Sequence, residues 1–140
     1  MRVIVFAKAT ADTEAGIMPS TEQFEAMSDF NRQLMEAGIL LAGEGLKPSS
    51  TGKRIHFDGP NRFITDGPFA ETKELVAGFS LWRVKDLDEA MEWAKKCPNP
   101  MSGPCEIEIR PLYEFEDWDG VLTPEIAEQE KQFRPPISDY

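Results

Sequence analysis

Apolar and polar positions change their period along this chain, and each change marks an element. Arg2 to Lys8 carries apolar residues on both parities, Val3, Val5 and Ala7 against Ile4 and Phe6. That pattern predicts a strand covered on both faces. Residues 9–19, with Ala, Asp, Thr, Gly and Pro, read as a loop. Ser20 then stands where a helix cap belongs, with Gln23 three residues on, and Phe24, Met27, Phe30, Leu34 and Met35 recur at helical spacing until Gly38. Ile39 to Ala42 reads as a short strand.

Further along, Lys53 to Phe57 and Arg62 to Thr65 flank Asp58-Gly59-Pro60-Asn61, which predicts a hairpin. Leu75 to Val84 is the next strand, with Phe79 and Trp82 on opposite faces by parity. Asp86 opens a second helix that runs through Lys96 and is stopped by Pro98 and Pro100. Glu106 to Leu112 is the last strand. Thr123-Pro124-Glu125 caps a polar C-terminal helix, and Arg134-Pro135-Pro136 reads as an extended tail. The order β-α-β-(ββ hairpin)-β-α-β predicts an α+β, ferredoxin-like split βαβ fold, an antiparallel sheet with helices on one face. Its other face, partly apolar, needs cover, and a homodimer supplies it. Residues 1–115 form the domain, and 116–140 add a short helix and tail packed on it.

At 140 residues the chain is long enough to bury one core without disulfides. Its two cysteines, Cys97 and Cys105, are expected as free thiols. The first apolar run is too short for a signal peptide or a membrane span, so we expect a cytoplasmic protein without a membrane partner. A net charge of −10 argues against direct binding to nucleic acid. The late acidic residues, Glu106 through Glu130, read as a solvated face. No G-x-G-x-x-G or phosphate-loop pattern occurs, so no cofactor is expected. One histidine and no cysteine cluster leave no metal site to expect.

The richest segment is Asp66-Gly67-Pro68-Phe69-Ala70-Glu71-Thr72-Lys73-Glu74. A carboxylate precedes a Gly-Pro turn in which Gly67 is free to take positive φ, and an aromatic residue and alternating charges follow. Asp66 has two readings, an Asx-turn residue accepting backbone N–H groups or a pocket carboxylate acting as general acid/base. Lys73 pairs locally or joins a charge network beside Asp66. Lys8 and Arg110, on neighbouring strands, either pair with glutamates or orient an anionic ligand. Phe69 is a candidate ligand contact. His56, the only histidine, reads as a surface strand residue at the sheet edge, and the aromatics Phe6, Phe63, Phe69, Phe79 and Trp82 read mostly as core.

These nine residues, together with EAGILLAGEGL, GFSLWRV, DLDEAMEWAKKCP and EIEIRPL, resemble the DGPF branch of the YCII-related family. The resemblance implies a ferredoxin-like fold and a dimeric α+β barrel. It also implies a setting linked to extracytoplasmic-function sigma factors, and for the YCII branch an Asp paired with an early histidine, which this chain lacks. Two functions stay open. One is a non-catalytic small-ligand-binding or regulatory protein. The other is a cofactor-free enzyme, a lyase, isomerase or monooxygenase-like activity, using Asp66 in a pocket at a dimer interface.

Overall fold

The computed structural model of the protein describes residues 1–133. Strand β1 (Arg2–Lys8) leads through a short helix α1 (Ala11–Glu14) to the long helix α2 (Thr21–Glu36) and strand β2 (Leu40–Gly45). The hairpin β3 (Lys53–Asp58) and β4 (Asn61–Asp66) follows, then β5 (Val76–Arg83), α3 (Leu87–Lys96), β6 (Ile107–Pro111) and α4 (Pro124–Phe133). The main sheet has the order β2-β5-β1-β6, all antiparallel. This is the ferredoxin-like α+β arrangement the element order predicts. The expected tail at Arg134-Pro135-Pro136 lies outside the described residues.

Both long helices start where their caps put them. Ser20 Oγ accepts from Gln23 N at 3.1 Å, and Gln23 Oε1 accepts from Ser20 N at 2.8 Å. Asp86 caps α3 through Glu89 N at 2.9 Å. Helix α2 ends at Gly38, whose φ of +72° suits glycine. There Ile39 N reaches Leu34 O at 2.8 Å and Gly38 N reaches Met35 O at 3.0 Å, the paired bonds of a Schellman motif.

The core lies between the helices and one sheet face. Val3 and Val5 of β1, Trp82 and Val84, Phe30 and Leu34 of α2, Ile39 and Ala90 form one buried cluster, with Trp93, Ile107 and Ile109 against it. Phe30 meets Trp82 edge-on at 6.3 Å. The Trp82 indole N–H donates to Ser80 Oγ at 2.7 Å, so the buried ring keeps a polar partner. Phe79 takes the opposite parity to Trp82 and stands across from Phe6, and Leu81 stands across from Ile4. These four half-buried residues form the apolar centre of the open face.

Two expectations change. Residues 9–19 contain α1, because Thr10 and Thr13 cap each other reciprocally, a pairing of two threonines that reads as loop composition. The hairpin is not an edge of the main sheet; it forms a separate two-stranded ribbon, and Phe63 is exposed on it rather than in the core. Strand β6, which carries Arg110, is itself an edge of the main sheet, with only β1 beside it.

Candidate functional site: a cleft beneath helix α2

The sheet residues facing α2 change in size along its length. Under the C-terminal half they are Val3, Val5 and Trp82, which join Phe30 and Leu34 in the buried core and close off the inner end of the cavity at Val5 and Trp82. Under the N-terminal half they are Ala7, Gly43, Gly45 and Gly78. With almost no side chains on the floor, two adjoining cavities of about 500 and 440 Å³ open there. Both are bordered by Ala7, Phe24, Gly45 and Pro100. That size and a mostly apolar lining are those of small-molecule sites.

The walls are apolar and wet. Phe24 is 67% exposed, and Ile17, Met18 and Leu46 are also exposed at the rim. Fully burying one such side chain is worth about 1.5–3 kcal/mol, and here that gain is left unused. Polar groups are few and peripheral. Gln23 Nε2 donates to Ser102 Oγ at 3.2 Å, bridging α2 to the loop after α3. Asp12 and Lys47 stand at the mouth. Cys97 lines the inner part, and burial pushes its thiol up to about 11, with Cys105 adding to the shift. It is therefore a neutral thiol at pH 7 and a weak nucleophile. Both cysteines are free.

The segment Asp66–Glu74 is placed beside the cleft as a brace. Gly67 N donates to Gly52 O at 3.0 Å, and the Gly67–Pro68 bond is cis. Gly67 does not take the positive φ its turn suggested; its glycine requirement is one of space. A Cβ there would lie 1.7 Å from Ser49 O and 3.2 Å from Ser50 Cα. Phe69 N donates to Ser49 Oγ at 3.1 Å, while Ser49 N donates to Glu14 Oε1 at 3.0 Å and Ser49 Oγ donates to Glu14 Oε2. The chain Phe69–Ser49–Glu14 thus ties the segment to α1 through the loop that carries Leu46, Lys47 and Pro48, three residues of the cleft wall. Glu71 holds a left-handed φ of +62°, uncommon for a residue with a side chain.

The residues singled out from sequence do not converge. Asp66 ends β4 with its side chain 73% exposed, paired to Lys53 Nζ at 2.5 Å. Lys8 faces the open side of the sheet, 3.9 Å from Glu108. Arg110 lies exposed on the same open face, across from Ile4. Phe69 carries the Arg54 guanidinium 3.9 Å over its ring. Lys73 is exposed in the 3₁₀ turn Thr72–Glu74, and His56 is exposed with its ring 6.3 Å from Phe63. None of these six lines the cleft. Among the described residues no group of three or more His, Cys, Asp or Glu side chains is placed to hold a metal ion. The cleft itself was missed in sequence; its signal is the pair Gly43 and Gly45 at alternate positions of β2, on the same sheet face as Gly78 and Ala7.

An antiparallel ferredoxin-like sheet with the Asp66–Glu74 segment defines a known class, and comparison gives it a name. The chain belongs to the YCII-related domain family, whose model matches residues 1–116. An uncharacterised protein of Rhizobium meliloti (strain 1021) is 35% identical over 86 residues, covering 61% of this chain and 69% of that protein. Among solved structures, 5-chloro-2-hydroxyhydroquinone dehydrochlorinase from Burkholderia phenoliruptrix AC1100, in complex with 2,5-dihydroxybenzoquinone, superposes with a TM-score of 0.46 at 11% identity. That match covers 83% of this chain and 97% of the other. Among the described residues no helix is long and apolar enough to cross a membrane.

Proposed function

We propose that the protein is a small-ligand-binding protein whose site is the cleft between α2 and the sheet. The observation that carries this reading is the floor of Ala7, Gly43, Gly45 and Gly78, which leaves space between helix and sheet that larger side chains would fill. A compact, largely apolar or aromatic molecule suits the walls, with its polar group toward Asp12, Lys47, Gln23 and Ser102 at the mouth.

Binding suits the cleft better than catalysis. General acid–base work needs a titratable group within reach of the bound molecule. The titratable residues lining the cleft are Asp12 and Lys47 at its mouth, Glu44, and a Cys97 thiol kept neutral by burial, with no hydrogen bond or ion pair joining any two of them, and Asp66 is held in solvent by Lys53. A ligand-receiving cleft also suits a regulatory protein of the kind the sigma-factor setting implies, working in the cytoplasm. We place a second copy of the chain on the open sheet face, over Ile4, Phe6, Phe79 and Leu81.

Ligand-observed NMR against a set of small aromatic and aliphatic fragments tests the reading. Gly45 lines both cavities, and a Cβ there meets nothing within 4 Å, so the side chain of Gly45→Leu starts in open space and takes up cleft volume. Fragments should bind the wild type and lose binding at least tenfold in this variant. Equal binding to both, or none to either, contradicts the proposal.

A further inference from the structure

Resting on the cleft as the ligand site, we infer that its occupant is an unbranched aliphatic monocarboxylic acid, with the chain along α2 and the carboxylate at the mouth. The two cavities adjoin at Ala7, Phe24, Gly45 and Pro100. The outer one holds the mouth, and the inner one ends against Val5, Phe30 and Trp82. Phe24 and Asn31 both border the inner cavity, and between them α2 rises roughly 10 Å. The space is therefore a run of two chambers past Phe24, which suits a chain better than a broad ring system.

The inner cavity offers almost nothing to a polar group. Its floor backbone is engaged in the ladders of β5 with β1 and β2. Ser80 Oγ donates to Ala42 O at 3.3 Å and accepts from the Trp82 indole N–H at 2.7 Å, while the Cys97 thiol donates to Pro98 O at 3.3 Å. Glu44 pairs with Phe79 across the strands, so its carboxylate shares the open sheet face with that ring. Among the polar side chains of this cavity, the Asn31 amide alone has no hydrogen bond within the described residues. A ring bearing several hydroxyl or carboxyl groups would leave them unpaired there, a cost that a hydrocarbon chain does not incur. Met18, Met27 and Met101 in the walls are unbranched and adaptable, as a flexible chain requires.

The mouth selects the head group. Lys47 is the one cation lining either cavity among the described residues, and neither it nor Asp12 has a side-chain hydrogen bond or ion pair there. Ser102 Oγ accepts from Gln23 Nε2 at 3.2 Å and keeps its own proton to donate. Free donors thus outnumber free acceptors, which suits a carboxylate. Asp12 at the same mouth opposes a second negative charge, so a monoanion fits better than a phosphate ester.

Calorimetric titration of the full chain with straight-chain acids from butanoate to dodecanoate, below their micelle-forming concentrations, tests this. Each added CH₂ should tighten binding about fourfold until the chain end meets Phe30 and Trp82, and longer acids should gain nothing more. Octanoate should bind roughly fivefold tighter than 1-octanol, the scale of a partly exposed ion pair, and Lys47→Gln should erase that difference. Gly43 lines the inner cavity and not the outer one, and a Cβ there meets Phe79 O at 3.5 Å, an ordinary contact. Gly43→Val should therefore move the best length to a shorter acid. The length series uses the unaltered protein, so a variant that misfolds leaves the test standing. Aromatic fragments bound in the cleft with no gain along the acid series would overturn the inference and leave the cleft as the ligand site. Alcohols binding as well as acids, or affinity still climbing fourfold per carbon at dodecanoate, would also overturn it. No binding by fragments or acids would overturn both readings.

Discussion

Helix α2 meets the same sheet in two ways. Its C-terminal half presses Phe30 and Leu34 onto Val3, Val5 and Trp82 in the buried core, where Phe30, Val5 and Trp82 form the inner limit of the cavity. Its N-terminal half holds Phe24 and Met27 over Ala7, Gly43, Gly45 and Gly78, and two cavities remain. Interiors normally pack like organic solids, so an unfilled half beside a filled one marks a site rather than poor packing. On the proposed reading, stability resides at one end of this sandwich and recognition at the other.

Paired truncations test that division. Leu34→Ala, at a side chain 1% exposed, should cost about 2–5 kcal/mol in a denaturant melt. Phe24→Ala, nearly three turns earlier, should stay within about 0.5 kcal/mol while weakening fragment binding. Equal costs at the two positions would erase the contrast. Gly67→Ala should cost about 3 kcal/mol, the upper range for forcing atoms into filled space, because Ser49 O occupies the place of the new methyl group. A melt matching the wild type would show that the brace yields freely.

Much of the fold was legible because local signals agreed. The Ser20–Gln23 capping box, Gly38, Asp86 and the Asp58-Gly59-Pro60-Asn61 turn each fixed a boundary that the structure keeps. The site was less legible, for a physical reason. Motif reading favours charged and aromatic residues, and this cleft is made by what its floor lacks. Asp66 stood out by its neighbours Gly67 and Pro68, yet those residues serve packing against Ser49 and Gly52. Parity separated Trp82 from Phe79, but could not tell that the hairpin leaves the sheet, since a ribbon and an edge strand share one pattern.

Smaller effects sharpen the picture. Cys97, its pKa raised to about 11 by burial, should react with iodoacetamide at pH 8 slower than an unfolded cysteine by on the order of a hundredfold. Rapid labelling would mean that the inner cleft opens to solvent. At the far end, Arg2 binds Glu114 through two hydrogen bonds of 3.0 and 2.9 Å and holds its carboxyl below the usual range. A lowered folded pKa stabilises above the unfolded value, about 4.3, and the gain is lost as pH falls through the folded one. The pair is partly exposed, so Glu114→Gln should cost under about 1 kcal/mol at pH 7 and nothing at pH 2. A cost unchanged between those pH values would assign it to packing.

Amide chemical-shift mapping with the best-binding fragment tests the central claim most directly. Shifts should gather on Ala7, Gly43, Gly45, Gly78 and Phe24, and vanish in Gly45→Leu. Shifts gathered on Asp66, Phe69 and Lys73, with the cleft residues unmoved, would contradict the account and return the site to the nine-residue segment.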